Sequence, residues 1–398
     1  MAREPRRVAV MLELHWLYKW HSGVFAGTQQ YAQEHGWHSV IDEYVDDSLA
    51  ASSRRAPPYD GVIARVTKNL AERAARSHVP VVNIWLSGPA WNKLPGVFAD
   101  FSAIGQMRAE HLLTRGFRRF AALTNNNERA HARDVKAFVA AVGEEGFSCL
   151  TTKIPLTFSQ TLAHWRRTER NIAAWMDDWH PPIGVYVGSE LIGRMVVQMC
   201  HNRGWRVPED VAIITGWNEE TYCEHLRPTL TSVEVGFERI GYEAARLLDR
   251  LMDERQKGRK IKGTAPEHIL LPPQGLVVRE STDFLAVEDE LVANALRFIS
   301  ANSHHPIGPD DVARAVGAET RTLQNRFRKF LDRPIATEIR RVRIERAKRE
   351  LSQSKRRLSE IAREVGFGAT MRMYEVFRRE LGVTPSEYRK QRQRENGT

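Results

Sequence analysis

Between residues 308 and 388 the chain spells one helical unit twice, at 310–330 and again at 358–381. In the first copy an apolar run, Val312-Ala313-Arg314-Ala315-Val316, meets Gly317, and a second helix over 321–330 follows a short turn. In the second copy 358–365 meets Gly366, and a helix follows over 370–381. Glycine stands where a chain leaves a helix with positive φ. Apolar residues recur at helical spacing (Ala313, Val316, Leu323, Phe327; Ile361, Val365, Met373, Phe377), and the opposite face of each second helix carries Arg, amide and hydroxyl groups. One face packs and the other is free to read a nucleic acid, which is helix-turn-helix grammar. Residues 334–352 predict a connecting helix of about 18 residues, roughly 27 Å long. Such a strut sets two reading helices about one DNA turn apart, roughly 34 Å.

The charge is distributed to match. The whole chain has 59 Lys and Arg against 49 Asp and Glu, a net +10. From residue 297 onward there are about 24 basic and about 13 acidic residues, roughly +11, which leaves roughly −1 for 1–296. The basic excess therefore sits with the duplicated unit, and phosphate contacts through it imply strongly salt-dependent binding to double-stranded DNA.

At 398 residues, with 42% hydrophobic and 27% charged residues, the chain has room for about two or three domains with substantial cores. No apolar run reaches the roughly 18 residues of a membrane span, and Met1-Ala2-Arg3-Glu4-Pro5-Arg6-Arg7 leads into a short strand, so a cytoplasmic protein with no membrane partner is expected. Cys149, Cys200 and Cys223 form no Cys-x-x-Cys pair and read as small buried thiols rather than zinc ligands or a disulfide frame. The phosphate-binding loop, the His-Glu-x-x-His helix, the Gly-x-Ser-x-Gly elbow and a Gly-x-Gly-x-x-Gly after the first strand are all missing. No catalytic residue, cofactor or metal is expected; only Glu13 with Asp100, as acid and base, keeps a remote carbohydrate-active enzyme in view.

Ahead of residue 280, short β-branched runs at 8–12, 61–66, 80–85, 120–124, 184–188 and 211–215 alternate with helical patterns at 102–115, 129–145, 191–203 and 237–253. That spacing predicts parallel α/β sheets in two Rossmann-like lobes, with a ligand cleft at the carboxyl ends of the strands.

Residues 290–390 resemble the AraC/XylS family of transcription regulators, on Arg321-Thr322-Leu323 with Arg326-Phe327, Arg343-Ile344-Glu345-Arg346-Ala347, Ile361-Ala362 with Val365-Gly366-Phe367, and Gly382-Val383-Thr384-Pro385-Ser386-Glu387-Tyr388-Arg389. Residues 7–280 resemble the LacI/GalR-type, periplasmic-binding-protein-like sugar sensors, on residues 111–121, Val207-Pro208-Glu209-Asp210-Val211, and Pro228-Thr229-Leu230-Thr231-Ser232-Val233 followed by Gly241-Tyr242-Glu243. A sensor followed by such a reader is similar to the xylose operon regulators. The resemblance implies a two-lobed α/β sensor at 1–280, a linker at 281–287 and an all-α domain with two helix-turn-helix units at 288–398. It further implies a homodimer, a small-molecule effector such as xylose or a related monosaccharide, and RNA polymerase as a further partner.

By position, the resemblance assigns DNA contacts to Arg321, Thr322, Gln324, Asn325 and Arg328 in the first reader, and to Thr370, Met371, Arg372, Tyr374 and Glu375 in the second. Met371-Arg372-Met373-Tyr374-Glu375 departs from the family's usual Ser-Tyr-Phe-x-Arg, so the DNA target should differ from the family's commonest one. The ligand candidates are Glu13, His15, Trp16, Tyr18, Asp100, Asn125, Arg129, Ser189, Glu190, Trp217 and Asn218. Related sensors carry Asp near Gly188-Ser189-Glu190 and near Gly216-Trp217-Asn218; here Ser189 or Glu190 and, with a shift of one, Asn218 are the stand-ins. Loss of both Asp residues also fits a sensor that no longer binds sugar and serves dimerisation.

Overall fold

The apolar runs of the amino-terminal part become parallel strands, and the amphipathic stretches between them become helices that cover both faces. The computed structural model describes residues 5–15, 18–51, 57–125, 128–154, 161–257, 266–287, 289–354 and 356–395. The chain divides into two units, Met1–Asp283 and Phe284–Thr398.

The first unit opens with β1 (Arg7–Met11), α1 (Lys19–Glu34), β2 (His38–Ile41), α2 (Val45–Ala51), β3 (Gly61–Ala64), α3 (Lys68–Ser77), β4 (Val81–Asn83) and β5 (Gly96–Ala99). A second lobe follows, with α4 (Phe101–Thr114), β6 (Phe120–Asn125), α5 (Arg129–Glu144), β7 (Cys149–Ile154), α6 (Leu162–Asp177), β8 (Ile183–Val187), α7 (Glu190–Asn202), β9 (Val211–Ile214) and α8 (Glu220–Glu224). The chain then passes through β10 (Ser232–Glu234), α9 (Phe237–Gln256), β11 (His268–Leu271) and β12 (Gly275–Val277). One sheet has the order β11-β5-β4-β3-β1-β2 and the other β7-β6-β8-β9, every pair parallel, while β10 and β12 pair antiparallel. This is the two-lobed, parallel α/β architecture read from the sequence.

Strands β3, Gly-Val-Ile-Ala, and β9, Val-Ala-Ile-Ile, are buried along their whole length. Helices on both faces of a parallel sheet leave no solvent side, so such strands read as unbroken apolar runs. Val8, Val10 and Leu12 pack with Val24, Ile240, Ala244 and Leu248 on one face of the first sheet. Ala9, Met11, Val62 and Ala64 pack with Leu70 and Ala74 on the other. Helices α1 and α9 approach so closely that a Cβ at Gly27 would strike the Glu238 carbonyl oxygen, and one at Gly241 the Val24 carbonyl oxygen. Strands β2 and β7 went unread because their half-exposed sequences, such as Cys-Leu-Thr-Thr-Lys-Ile, lack an apolar run.

The second unit comprises α10 (Glu290–Asn302), α11 (Pro309–Ala315), α12 (Thr320–Leu331), α13 (Ile335–Gln353), α14 (Leu358–Glu364), α15 (Thr370–Leu381) and α16 (Pro385–Glu395). Gly317 and Gly366 take φ of 67° and 91° at the two turns, and Asp332 and Gly382 close the reading helices with φ of 50° and 72°. Asp is among the few non-glycine residues at ease there. Val312, Ala313, Leu323 and Phe327 are buried in the first copy, and Ile361, Ala362, Val365, Met373 and Phe377 in the second. The Arg343 guanidinium donates to the Ser303 carbonyl at 2.8 Å, tying the strut α13 to the loop after α10.

The linker expected at 281–287 starts too early. Residues Glu280–Thr282 form a 3-10 turn inside the first unit. The Ser281 hydroxyl donates to the Ile213 carbonyl at 2.5 Å and accepts from the Thr231 N–H at 2.9 Å; the Thr282 hydroxyl meets that of Thr231 at 2.7 Å. Two buried hydroxyls with all these partners are core, and nothing local in Ser281-Thr282 signals it beyond polarity.

His111 adds a further tie, with Nε2 2.8 Å from the Thr282 hydroxyl and Nδ1 3.1 Å from Arg115 Nη1. Burial, then the Arg115 charge, pulls the His111 pKa down to about 3; burial likewise pulls His21 down to about 4. An unfolded His titrates near 6.5, so between about 6.5 and these lower values the unfolded chain binds more protons than the folded one. The stability these groups permit is complete above about pH 6.5 and is lost as pH falls, by up to about 1.4 kcal/mol per group per pH unit. The unfolding transition of the first unit, followed by calorimetry on the full chain, should therefore move down between about pH 7.5 and about pH 5, and less steeply in His111→Gln. A pH-independent transition would contradict the assignment.

Candidate sensor cleft and DNA-reading helices

Two strand ends of the second sheet, after β8 and after β9, bring their loops together. The first supplies Ser189, whose hydroxyl caps α7, and Glu190, which is buried. The second supplies Gly216-Trp217-Asn218, and each of these three residues is held by a different buried charged side chain. Arg108, with no exposed surface, donates to the Gly216 carbonyl at 2.6 Å. The Glu190 carboxylate accepts from the Trp217 N–H at 2.5 Å. Arg279 Nη2 donates to Asn218 Oδ1 at 2.7 Å.

The three anchors are themselves compensated. Arg108 pairs with buried Asp134, which also accepts from the Tyr186 hydroxyl at 2.7 Å. Arg279 further donates to the Leu230 carbonyl at 2.9 Å and pairs with Glu224 at 2.8 Å. Burial pushes the Glu190 carboxyl above its ordinary range, partly offset by the N–H groups it accepts from and by Arg108. Asn218 sits at φ 60°, which Asn tolerates, and its Nδ2 donates to Glu234 at 2.9 Å.

Held in this way, the Trp217 ring forms part of the wall of a cavity of about 610 Å3, counting space open to solvent. Trp20, Trp85, Phe98, Phe101 and Phe237 complete an aromatic wall, and Arg65, Ser87 and Glu128 are polar groups in it. Arg65 pairs with Glu13, lies 4.3 Å from the Trp85 ring and 5.3 Å from the Trp20 ring, and has its pKa drawn down to about 10 by burial. Its Nε and the Trp217 Nε1 are buried donors with no hydrogen-bond partner. A buried donor left unpaired costs about 1–3 kcal/mol.

Several sequence-selected residues have other work. Asn218 is buried and fully engaged with Arg279, Ser232 and Glu234, so it is a structural tie rather than a ligand contact. Glu190 orients Trp217, and Ser189 and Asp100 cap α7 and α4. With Asp100 capping and Glu13 paired to Arg65, the two carboxylates imagined as acid and base are both structurally committed. Arg129 is exposed over Trp91 at 4.6 Å. His15 and Tyr18 are exposed; Trp16 and the Asn125 side chain lie outside the described residues.

Of the candidates, Trp217 lines the cavity. Trp20, at the end of the loop 13–20 that the sequence marks for the cleft, lines it too, whereas sequence reading missed Arg65 and Trp85. The usable signal was position: Arg65 directly follows β3, and the carboxyl ends of parallel strands face the ligand crevice.

In the second unit, Arg321, Thr322, Asn325 and Arg328 are exposed on α12 and Gln324 is half-buried. On α15, Met371, Arg372 and Glu375 are exposed, and Thr370 is half-buried. Tyr374 is also half-buried, its hydroxyl 2.6 Å from that of Ser386 on α16, which makes it a joint between helices rather than a free reader.

Comparison with known proteins agrees with this division. A periplasmic binding protein-like domain matches residues 109–282 and a helix-turn-helix domain matches 312–391. The xylose operon regulatory protein of Escherichia coli (strain K12) is 28% identical over 375 residues, covering 92% of this chain and 93% of that one. That of Haemophilus influenzae is 26% identical over 339 residues, covering 83% and 84%. The solved structure of a xylose-binding transcription activator, xylR, has a TM-score of 0.69 at 24% identity, covering 98% of this chain and 99% of that one. The chain is a DNA-binding transcription regulator that joins a periplasmic-binding-protein-like domain to a helix-turn-helix domain, and along most of its length it is similar to the xylose operon regulators.

Proposed function

We propose that the chain is a cytoplasmic, homodimeric regulator whose sensor cleft closes on a small sugar, xylose or a related monosaccharide, and thereby changes the affinity of the two reading helices for operator DNA. The observation that carries this reading is the aromatic-walled cavity, two of whose lining residues, Arg65 and Trp217, each keep a buried donor without a hydrogen-bond partner. A sugar offers apolar ring faces for indole and phenyl rings and hydroxyl oxygens for such donors. The names of the relatives point to the same ligand class. A cavity with these unmet donors also weighs against a sensor kept only for dimerisation.

On DNA, Arg and amide side chains of α12 read base edges while the surrounding Lys and Arg hold phosphates, with RNA polymerase as a further partner. A two-state switch from mostly off to mostly on needs a ligand preference of about 10⁴-fold, near 5.5 kcal/mol, and a smaller preference gives graded control.

A thermal-shift panel of pentoses, hexoses, uronic acids and sugar phosphates tests the sensor. At 100 times its dissociation constant a ligand stabilises the native state by about 2.7 kcal/mol. A selective shift is expected, strongly reduced in Trp217→Ala; silence across the panel contradicts a sugar sensor. For the reader, Arg321→Ala should weaken specific DNA binding by about 1–3 kcal/mol and relax preference at one base pair. Equal affinity for every substituted site before and after the change would contradict a base contact by Arg321.

A further inference from the structure

The two reading helices can be aligned without ambiguity, because both have 12 residues, begin with Thr and end with Leu. Leu323 corresponds to Met373 and Phe327 to Phe377, all buried, and the left-handed caps Asp332 and Gly382 coincide. The exposed positions then differ in a definite way. Arg321 becomes Met371, Thr322 becomes Arg372 and Asn325 becomes Glu375, while Arg328 and Lys329 keep their charge as Arg378 and Arg379. The phosphate-binding end is retained and the base-reading end is rewritten.

Met371 is 70% exposed, an apolar side chain held in water on the first turn of α15. Glu375 lies four residues on, one helical turn away on the same face. Nearby acids have partners in the protein: Glu364 pairs with Arg356, Glu380 with Arg340 and Arg379, and Glu387 accepts from Thr384. Among the described residues Glu375 has neither an ion pair nor a hydrogen bond, so no folding role accounts for it. A bare carboxylate against a polyanion is repelled unless a base donates to it.

The major-groove code says which base does. Guanine offers two acceptors and thymine an acceptor, while adenine's amino group stands beside the acceptor N7, which repels a carboxylate. Cytosine offers an amino donor without an adjoining acceptor, and the thymine methyl suits an exposed Met. At the equivalent places in the first reader, Arg321 and Asn325 are the side chains that pair bidentately with guanine and adenine.

We propose that the second reading helix specifies cytosine through Glu375 and a neighbouring thymine methyl through Met371, so that the two readers of one chain recognise two unlike half-sites rather than the same one twice. This rests on the DNA-binding reading above. Glu375 also acts negatively, because its charge lowers affinity for every sequence that lacks the amino group.

The test is selection from a randomised duplex library by the full-length protein, followed by competition binding at one salt concentration. Wild type should enrich cytosine at one position of the second half-site. Glu375→Gln should lose that preference by about tenfold and move toward adenine, which an amide reads bidentately. Glu375→Ala should lose it without gaining adenine, and both variants should bind random DNA more tightly than wild type. Replacing the selected thymine by uracil, which removes only the methyl, should weaken wild type several-fold and leave Met371→Ala unchanged. If wild type enriches a sequence but both Glu375 variants enrich the same one, the inference is overturned and the DNA-binding reading stands. If wild type enriches no sequence at all, both fall.

Discussion

Three consecutive residues, Gly216, Trp217 and Asn218, are gripped by three buried charged side chains, Arg108, Glu190 and Arg279, drawn from three different parts of the sensor. Buried charges are costly unless well paired, and removing one partner strands the other, so such a set is all or nothing. Here every member has at least one compensating partner, and the outcome is a fixed segment 216–218 that carries the Trp217 ring into the cavity wall. The same set reaches the end of the unit. Arg279 lies three residues before Thr282, and that tail is sealed by Thr231, Ile213 and His111. From Trp217 to the unit boundary the path is a short series of buried hydrogen bonds with no loose segment in it. In the proposed regulator that is where a ligand's contact with Trp217 would be felt.

The reader is built on the opposite plan. Its cores are small and repeated, with Val312, Leu323 and Phe327 in one copy and Ile361, Met373 and Phe377 in the other. Its information lies on exposed side chains that do no packing. This separation lets the two copies share one scaffold while their exposed side chains differ, and the exchange of Asn325 for Glu375 is the difference on which the proposed change of target rests.

How much of this was legible in the sequence depends on where each signal lives. Strands buried on both faces, such as β3 and β9, announce themselves by unbroken apolar runs, and the reading helices by Leu323 and Phe327 at helical spacing. Strands β2 and β7, half-exposed, carry neither pattern. Within the cleft, local pattern says which residues follow a strand but not where their side chains turn. Glu190 and Asn218 were rightly placed at the carboxyl end of the second sheet, yet both point into the protein as ties. Arg65 occupied the same kind of position on the first sheet and was passed over because a lone Arg has no motif. Ser281 and Thr282 looked like linker because polar residues after a strand usually are; their burial depends on Thr231 and His111, far away in sequence.

The central claim is that occupancy of the cleft changes DNA affinity, and the most direct test is the equilibrium affinity of the full chain for its selected duplex, measured at fixed salt with increasing sugar. The account predicts an affinity that changes with sugar concentration and levels off once the cleft is saturated, with the reciprocal change in sugar affinity when DNA is bound. A sugar that demonstrably binds the sensor while leaving DNA affinity the same at every concentration would contradict it.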